Sequence, residues 1–359
     1  AADAAHKDVI VVPDNAEPIV SVYADPEMPQ SSLSIMYKSQ AMPKEEKNTI
    51  MYEVVSLMKS FVSTMMNERL SDIARKPDAP FVQAGFNPAE SFGICPTLEV
   101  TMGQVVTQDG KIMEGYKALL TEMERMRRHG FTEGEWERAK NNILADIELG
   151  YNSREDRRHS YFANRYIDNF RMGTPIYDFE TEYQLDKQLV EMISCEMVNA
   201  TIKQLYEPLK NVVIVANSPV KDGVAIPTEA ELVGALKAAV AADVEPFKDN
   251  VVKEPLISDE SALKGSKVVK SVKDESLGFT EWTLANGIKV VIKQTPYQAD
   301  NIGVEAISDG GAAVFANDMY YSAQMLGSVM SMSGISKFSA SDLRKQLSGN
   351  TASAGLGVS

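Results

Sequence analysis

The chain of 359 residues carries 36 Lys and Arg against 50 Asp and Glu, a net charge of −14, with 44% hydrophobic and 24% charged residues. That balance is ordinary for a globular protein, and the length suits two folding units rather than one. It argues against nucleic-acid binding, because no basic block stands out to neutralise phosphates, and no apolar run approaches the ~20 residues of a membrane span.

The opening "AADAAHKD" has neither a methionine nor a signal peptide, and reads as a processed or cut form. Residues 8–25, "DVIVVPDNAEPIVSVYAD", predict two short strands around a Pro-Asp-Asn turn, and "SSLSIMYKSQ" (31–40) predicts another. Met51, Val54, Val55, Met58, Phe61, Val62 and Met65 then recur at three- and four-residue steps. That spacing marks one face of a long helix, with its methionines as core filler. "FVQAGFNPAESFG" and "CPTLEVTMGQVV" read as two strands separated by Gly93 and Pro96. The next helix carries Ile112, Tyr116, Leu119, Leu120, Met123 and Met126 on one side, and stops at "RRHG", with cations in its last turn and Gly130 beyond. Thr132 and Glu135 form a capping box that opens "EGEWERAKNNILADIELGY". Helices follow near 155–170, 178–192 and 195–206, before the strand "NVVIVA" at 211–216. Strands, helix, strands, several helices and a strand do not alternate as a doubly wound sheet would. The order predicts an α+β fold, an antiparallel sheet with helices packed on one face.

After the helix "TEAELVGALKAAVAA" (228–242), residues 245–277 are rich in Lys, Glu, Asp and Ser without a sustained period, and read as a linker. "EWTLANGIKVVIKQT" is a hairpin on Asn286-Gly287. "NIGVEAIS" (301–308) reads as a third strand leading to Gly310-Gly311; a helix over 318–332 stops at Gly334, and Ser339 with Asp342 caps another. This second unit carries much apolar surface for its size, and is expected to be the truncated start of a domain.

Three stretches together resemble the second domain of the pitrilysin-like (insulinase-type) zinc metallopeptidases: "GFTEGEWERAKNNILADIE" (130–148), "LVEMISCEMVNATIKQLY" (189–206) and "NVVIVANSP" (211–219). The unit that opens with the Asn286-Gly287 hairpin looks like the start of a further domain of that family. The resemblance implies a second-domain-like unit over 1–244, an interdomain linker over 245–277, and a truncated third-domain-like unit over 278–359. In this family the catalytic domain carries an inverted H-x-x-E-H motif, two His on one helical face binding zinc and the Glu acting on the metal-bound water. Laid on "AQMLGSV" (323–329), the motif puts Gln324 and Ser328 at the His positions and Gly327 at the general base. The resemblance therefore implies no catalytic and no metal-ligating residue in this chain, with the zinc of the full-length parent held in an upstream domain. Substrate-binding residues stay unassigned.

The chain's three histidines offer no alternative metal pair, since His6, His129 and His159 include none spaced i, i+4. His159 reads as a surface helix residue, and His129 as a cation favoured at a helix C-terminus. Cys95 and Cys195 form no C-x-x-C, and whether they pair is open. "DNAEPIVSVYADPE" lacks calcium-loop spacing, "LSGNTASAGLGVS" lacks the lysine of a phosphate loop, and no nucleophile elbow occurs. Two functions fit the resemblance. One is a noncatalytic part of a zinc peptidase, walling the substrate chamber and carrying the hinge; the other is an assembly subunit of the same fold without peptidase activity. Implied partners are a peptide or unfolded polypeptide and the remaining domains of the parent, with homo-oligomerisation left open. The clipped start and the likeness to secreted bacterial members point to the periplasm or cell envelope.

Overall fold

In β1 (Ile19–Asp25) and β2 (Ser31–Gln40) the polypeptide begins its sheet, and β2 shows why. Ser31, Leu33, Ile35 and Tyr37 are buried while the residues between them are only partly covered, the period of a strand with one face on a core. The computed structural model describes residues 10–91, 95, 97–252, 254–297, 301–350 and 352–358. After β2 come α1 (Ile50–Ala74), β3 (Gln83–Ser91), β4 (Leu98–Thr107), α2 (Ile112–His129), α3 (Glu133–Asn152) and α4 (His159–Met172). Then follow α5 (Phe179–Met192), α6 (Cys195–Leu205), β5 (Val212–Pro219) and α7 (Glu229–Ala241). Strand order is β1-β5-β2-β4-β3.

The expected α+β class holds. The β2–β4, β2–β5 and β3–β4 pairs are antiparallel, while the outermost pair, β1 with β5, is parallel. A clasp starts that register: Asn15 N–H donates to the Asn211 side chain at 2.9 Å, and the Asn15 amide donates to the Val212 carbonyl at 2.9 Å. Asn211 holds φ 56°, in the left-handed region that asparagine tolerates best among residues with a Cβ. The strand expected before the Pro-Asp-Asn turn does not form among the described residues 10–12, and residues 8 and 9 lie outside them. Instead the Ile10 carbonyl accepts from Thr97 Oγ1 at 2.6 Å and from Cys95 Sγ at 3.6 Å, side-chain tethers rather than a ladder. Gly93 and Pro96 also lie outside the described residues.

One core joins β2, β4 and β5 to Phe61, Val62, Met65 and Met66 of α1 and to Tyr116, Leu119 and Met123 of α2. Gly103 lets α2 sit close, since a Cβ there would lie 2.9 Å from Met123 Sδ. A small satellite of Cys95, Leu98 and Val100 covers part of the opposite face. Within the core side lies a buried ion pair. Arg69 of α1 binds Glu135 of α3 through Nε at 2.5 Å and Nη2 at 2.8 Å, with side-chain exposures of 1% and 2%. Glu135 also accepts from Thr132 N–H at 2.9 Å, so the expected capping box is present and its carboxylate serves both roles.

The chain divides into two compact units, residues 1–147 with 158–250, and residues 148–157 with 251–359. In the second unit, β6 (Val268–Asp274), β7 (Phe279–Leu284) and β8 (Lys289–Ile292) form an antiparallel sheet, and α8 (Tyr320–Met332) and α9 (Ala340–Gln346) follow. β6 falls inside the stretch read as a linker. Its residues are exposed except the last, so it shows no period-2 burial, and its backbone pairing with β7 makes it a strand. The Asn-Gly hairpin closes as expected, with Gly287 at φ 88° donating to the Leu284 carbonyl at 2.9 Å. Residues 301–308, expected as a third strand, are not one: Ile302, Val304 and Ile307 are 91%, 87% and 86% exposed. Alternation alone makes no strand, because an extended segment needs a neighbour to receive its N–H and C=O groups.

Removing one partner of a buried ion pair strands the other charge, at a cost of about 3–5 kcal/mol. Glu135→Ala, which also removes the cap, is therefore expected to lower unfolding free energy by at least ~3 kcal/mol in urea titrations, and the apolar pair Arg69→Met with Glu135→Leu to recover most of it.

Candidate functional site

α8 carries residues 323–329, on which the zinc-binding motif of the resembled family was laid in the sequence. Gln324 is exposed and its amide donates to the Tyr320 hydroxyl at 2.7 Å; Gly327 has no side chain, and Ser328 is an exposed hydroxyl. An amide, a hydrogen atom and an aliphatic hydroxyl do not fit zinc, which takes imidazole, thiolate or carboxylate. Among the described residues no three His, Cys, Asp or Glu side chains are grouped to hold a metal ion. His129 pairs through Nε2 with the Val244 carbonyl at 2.6 Å, His159 begins α4 on the surface, and His6 lies outside the described residues. Cys95 and Cys195 are both free and buried. Burial pushes the Cys195 thiol up to about 11, so it is a packing group rather than a nucleophile.

The motif-bearing helix α3 does structural work, and part of it falls on the stretch read as a free linker. Arg138 grips Asp249 with both Nη atoms, at 3.0 and 3.1 Å. Arg128 donates to the Val240 and Ala242 carbonyls at 2.6 Å each, Arg125 donates to Glu245 O at 2.9 Å, and the Arg69 guanidinium lies 4.2 Å from the Phe247 ring centre. Residues 242–249 are thus strapped to α2 and α3 by a row of basic side chains.

The exposed face of α1 forms a cleft. Tyr52, Ser56, Lys59, Ser60, Ser63 and Thr64 recur at helical spacing opposite the core stripe and line about 520 Å³ with Lys47, Pro88, Glu99, Met172 and Thr174. Lys59 pairs with Glu99 at 3.1 Å. Lys47 is only 4% exposed, and its ammonium lies 5.9 Å from the Tyr52 ring centre. Sequence reading missed this cleft, because "PKEEKN" looks like a solvated turn and serines on an outer helix face look like solvent contacts.

A second recess of about 290 Å³ joins Glu53 of α1, Tyr161, Arg165 and Asp168 of α4, and Glu182 and Asp186 of α5. Arg165 binds Glu182 at 2.7 Å. Burial, then the Glu182 charge, pushes Asp186 up to about 6 against the pull of Arg165. Burial, with Asp186 and Glu182 adding to it, also raises Glu53.

Of the sheet's outer strands, β3 is blunted. Asn67 of α1 accepts from Phe86 N–H at 2.8 Å and donates to the Phe86 carbonyl at 3.0 Å, and Pro88 within the bulge has no N–H. Among the described residues, β1 has a strand partner on one side only.

No family model matches the chain. It is 24% identical over 340 residues to a zinc protease PQQL-like protein of Arabidopsis thaliana, covering 94% of this chain and 32% of that protein. It is 22% identical over 293 residues to the probable zinc protease PqqL of Escherichia coli (strain K12), covering 80% of this chain and 30% of that protein. The chain spans about a third of the length of these curated relatives. The crystal structure of the periplasmic protease PqqL from Escherichia coli superposes with a TM-score of 0.60 at 18% identity, covering 99% of this chain and 39% of that one. The ferredoxin protease FusC, solved in complex with Arabidopsis ferredoxin, gives a TM-score of 0.53 at 16% identity over 93% of this chain and 36% of that one. The fold is that of these proteases, and the similarities support membership in the pitrilysin/insulinase zinc-protease superfamily without placing the chain at a particular domain.

Two measurements check this geometry. Limited trypsin digestion is expected to cut at Lys264 before Lys248, because Phe247 and Asp249 hold the chain around Lys248 against Arg69 and Arg138. Asp186, raised from 3.8 to about 6, favours the folded state while neutral, so its contribution is full below about pH 4 and lost as pH rises through 6. Asp186→Asn should therefore stabilise the protein by about 1 kcal/mol at pH 7.5, after allowance for solvent screening, and by nothing at pH 4, read from urea midpoints.

Proposed function

We propose that this chain is a noncatalytic portion of a pitrilysin-like zinc metalloendopeptidase, walling part of the substrate chamber while the zinc site lies in an upstream domain of the parent. What supports the reading is α8: the family's motif, laid on residues 323–329, meets Gln324, Gly327 and Ser328 instead of ligands and base. The superfamily-level similarity supports a metallopeptidase parent.

On this reading residues 1–244 act as a second-domain-like unit and 278–359 as the start of a third, with the hinge of the clamshell in the residues between. The cation row narrows that hinge: its motion begins after Asp249, since 242–249 are held on α2 and α3. A peptide or unfolded polypeptide substrate would meet this wall as an extended chain. Of the two outer strands, β1 is the one left to take it by strand addition, because Asn67 already occupies the Phe86 N–H and C=O. The likeness to a periplasmic protease supports a periplasmic or cell-envelope location for the parent. Among the described residues, no helix is long and apolar enough to cross a membrane.

The chain by itself is expected to hydrolyse no peptide in a chelator-sensitive manner, whereas the full-length parent is expected to cleave unfolded polypeptide and to lose that activity to a chelator. Zinc-restorable hydrolysis by the isolated chain would overturn the assignment. A parent without H-x-x-E-H and without activity would favour the assembly-subunit reading instead.

A further inference from the structure

We propose that the face of the first unit's sheet turned away from the core holds an extended, uncharged stretch of polypeptide laid across its strands. The inference deepens the peptide-handling role proposed above and rests on it for the class of ligand.

Strand register puts fifteen residues on that face. Ile19, Val213, Met36, Met102 and Asn87 form one row across β1, β5, β2, β4 and β3. Ser21, Val215, Ser34, Gln104 and Gly85 form the next, and Tyr23, Asn217, Ser32, Val106 and Gln83 the third. The residues between them, such as Ile35 and Ile214, belong to the core, whereas none of the fifteen is buried. Not one of the fifteen carries a charge, in a chain with 24% charged residues, although a sheet face left to water is where charge belongs. Charges resume at the rim. Lys38, the next outward residue after Met36, donates to the Pro13 carbonyl, and Asp25, the next after Tyr23, accepts from the Tyr23 hydroxyl at 2.9 Å. Depletion of charge inside a polar rim is the composition of a recognition surface, and it leaves an ionic ligand without a counter-charge.

Area decides between a polypeptide segment and a folded partner. Five strands about 4.8 Å apart and three rows about 6.8 Å apart make a patch of about 24 by 20 Å, on the order of 500 Å². A stable protein–protein interface takes about 800 Å² of each partner, so this face is too small to hold a second copy of the chain. An extended segment crosses about 24 Å in about seven residues. The rows are graded to receive it. Ile19, Val213, Met36 and Met102 make an aliphatic and thioether row, with Met36 and Met102 packed against the Cys95, Leu98 and Val100 satellite. Two rows away, Tyr23, Asn217, Ser32 and Gln83 bring hydroxyls and amides, the donors and acceptors a peptide backbone needs. The Asn217 amide donates to Ser32 Oγ at 3.4 Å, which leaves its carbonyl oxygen to accept. A chain lying over Ser21, Ser34 and Gln104 sets apolar side chains on the first row and its N–H and C=O groups against the third.

Isothermal titration of the 359-residue chain with acetyl-Gln-Leu-Ser-Leu-Asn-Leu-Ser-amide tests the proposal, alongside counterparts in which both serines are Glu or both are Lys. The expected result is binding of the neutral peptide that salt does not alter, with both charged counterparts weaker by about 10-fold or more. Gln104→Glu changes an exposed residue on β4, three strands along from β1, so its effect cannot come from strand addition at that edge. It is expected to weaken the neutral peptide about 10-fold at unchanged melting temperature and to make the Lys peptide the preferred ligand. Ser34→Lys is expected to select the Glu peptide instead. No binding of the neutral peptide, equal binding of all three peptides, or an unchanged preference in Gln104→Glu or Ser34→Lys would each overturn it. So would self-association of the unaltered chain that Gln104→Glu abolishes, which gives the face to a second copy. A Gln104→Cys thiol that maleimide cannot reach in the peptide-free parent gives it to another domain, with the same consequence. Chelator-sensitive cleavage by the parent is a separate readout. A parent that cleaves peptides while the chain binds neutral and charged peptides alike removes this surface alone, and an inactive parent with Gln104-dependent binding removes only the peptidase reading.

Discussion

The guanidinium of Arg69 stands where the first unit's separate pieces meet. It binds Glu135 with two nitrogens, donates to the Gly130 carbonyl at 3.0 Å, and lies 4.7 and 4.2 Å from the ring centres of Phe131 and Phe247. Those contacts tie α1 to the α2–α3 junction and to the segment that leaves the unit. Taking both charges out of water costs several kcal/mol per ion before pairing, so a bidentate geometry with further hydrogen bonds is a condition of their burial. Glu135 meets that condition because the same carboxylate caps its own helix through Thr132. One residue of the motif thus serves helix initiation and long-range packing together, and neither role involves a substrate.

From that anchor the chain's exit follows. Arg125, Arg128 and His129 of α2 and Arg138 of α3 each meet an oxygen of the end of α7 or the segment that follows it: carbonyls at Val240, Ala242, Val244 and Glu245, then the Asp249 carboxylate. The cations at the end of α2 read first as partners of the helix dipole, and Arg127 with Arg128 also bind Glu124. Their larger consequence is that the boundary of rigid structure lies past the charged sequence that seemed to open the linker. How far the first unit extends is thus decided by side chains on α2 and α3, not by the composition of the segment itself.

The sheet and α1 divide the surfaces available for binding. The inner stripe of α1 is spent on the core, and Asn67 and Ser63 reach past it to the backbone of Phe86. That contact closes one sheet edge and leaves the other. The outer stripe, free of packing duties, carries hydroxyls, Lys59 and Tyr52 above the buried Lys47. On α8 the residues laid on the family's motif are an amide, a hydrogen and a hydroxyl, which do not suit zinc.

Local pattern determined much of this protein. The apolar stripes of α1 and α2, the alternation in β2, the Thr132 and Ser339 caps, the Asn286-Gly287 hairpin and the lack of paired histidines were all legible, because each is set by residues within one or two turns of each other. Long-range pairing was not. β6 became a strand only by joining β7, residues 301–308 failed to become one for want of such a neighbour, and the parallel β1–β5 pair arose from a clasp between Asn15 and Asn211. The cleft belongs to the same class, since Lys47 reads as a solvated lysine until α1, the ends of β3 and β4, and the residues after α4 close around it. Periodicity along the chain reports which face of an element avoids water. Burial of a charge and the partner of a strand depend on residues distant in sequence, so only the tertiary structure decided them.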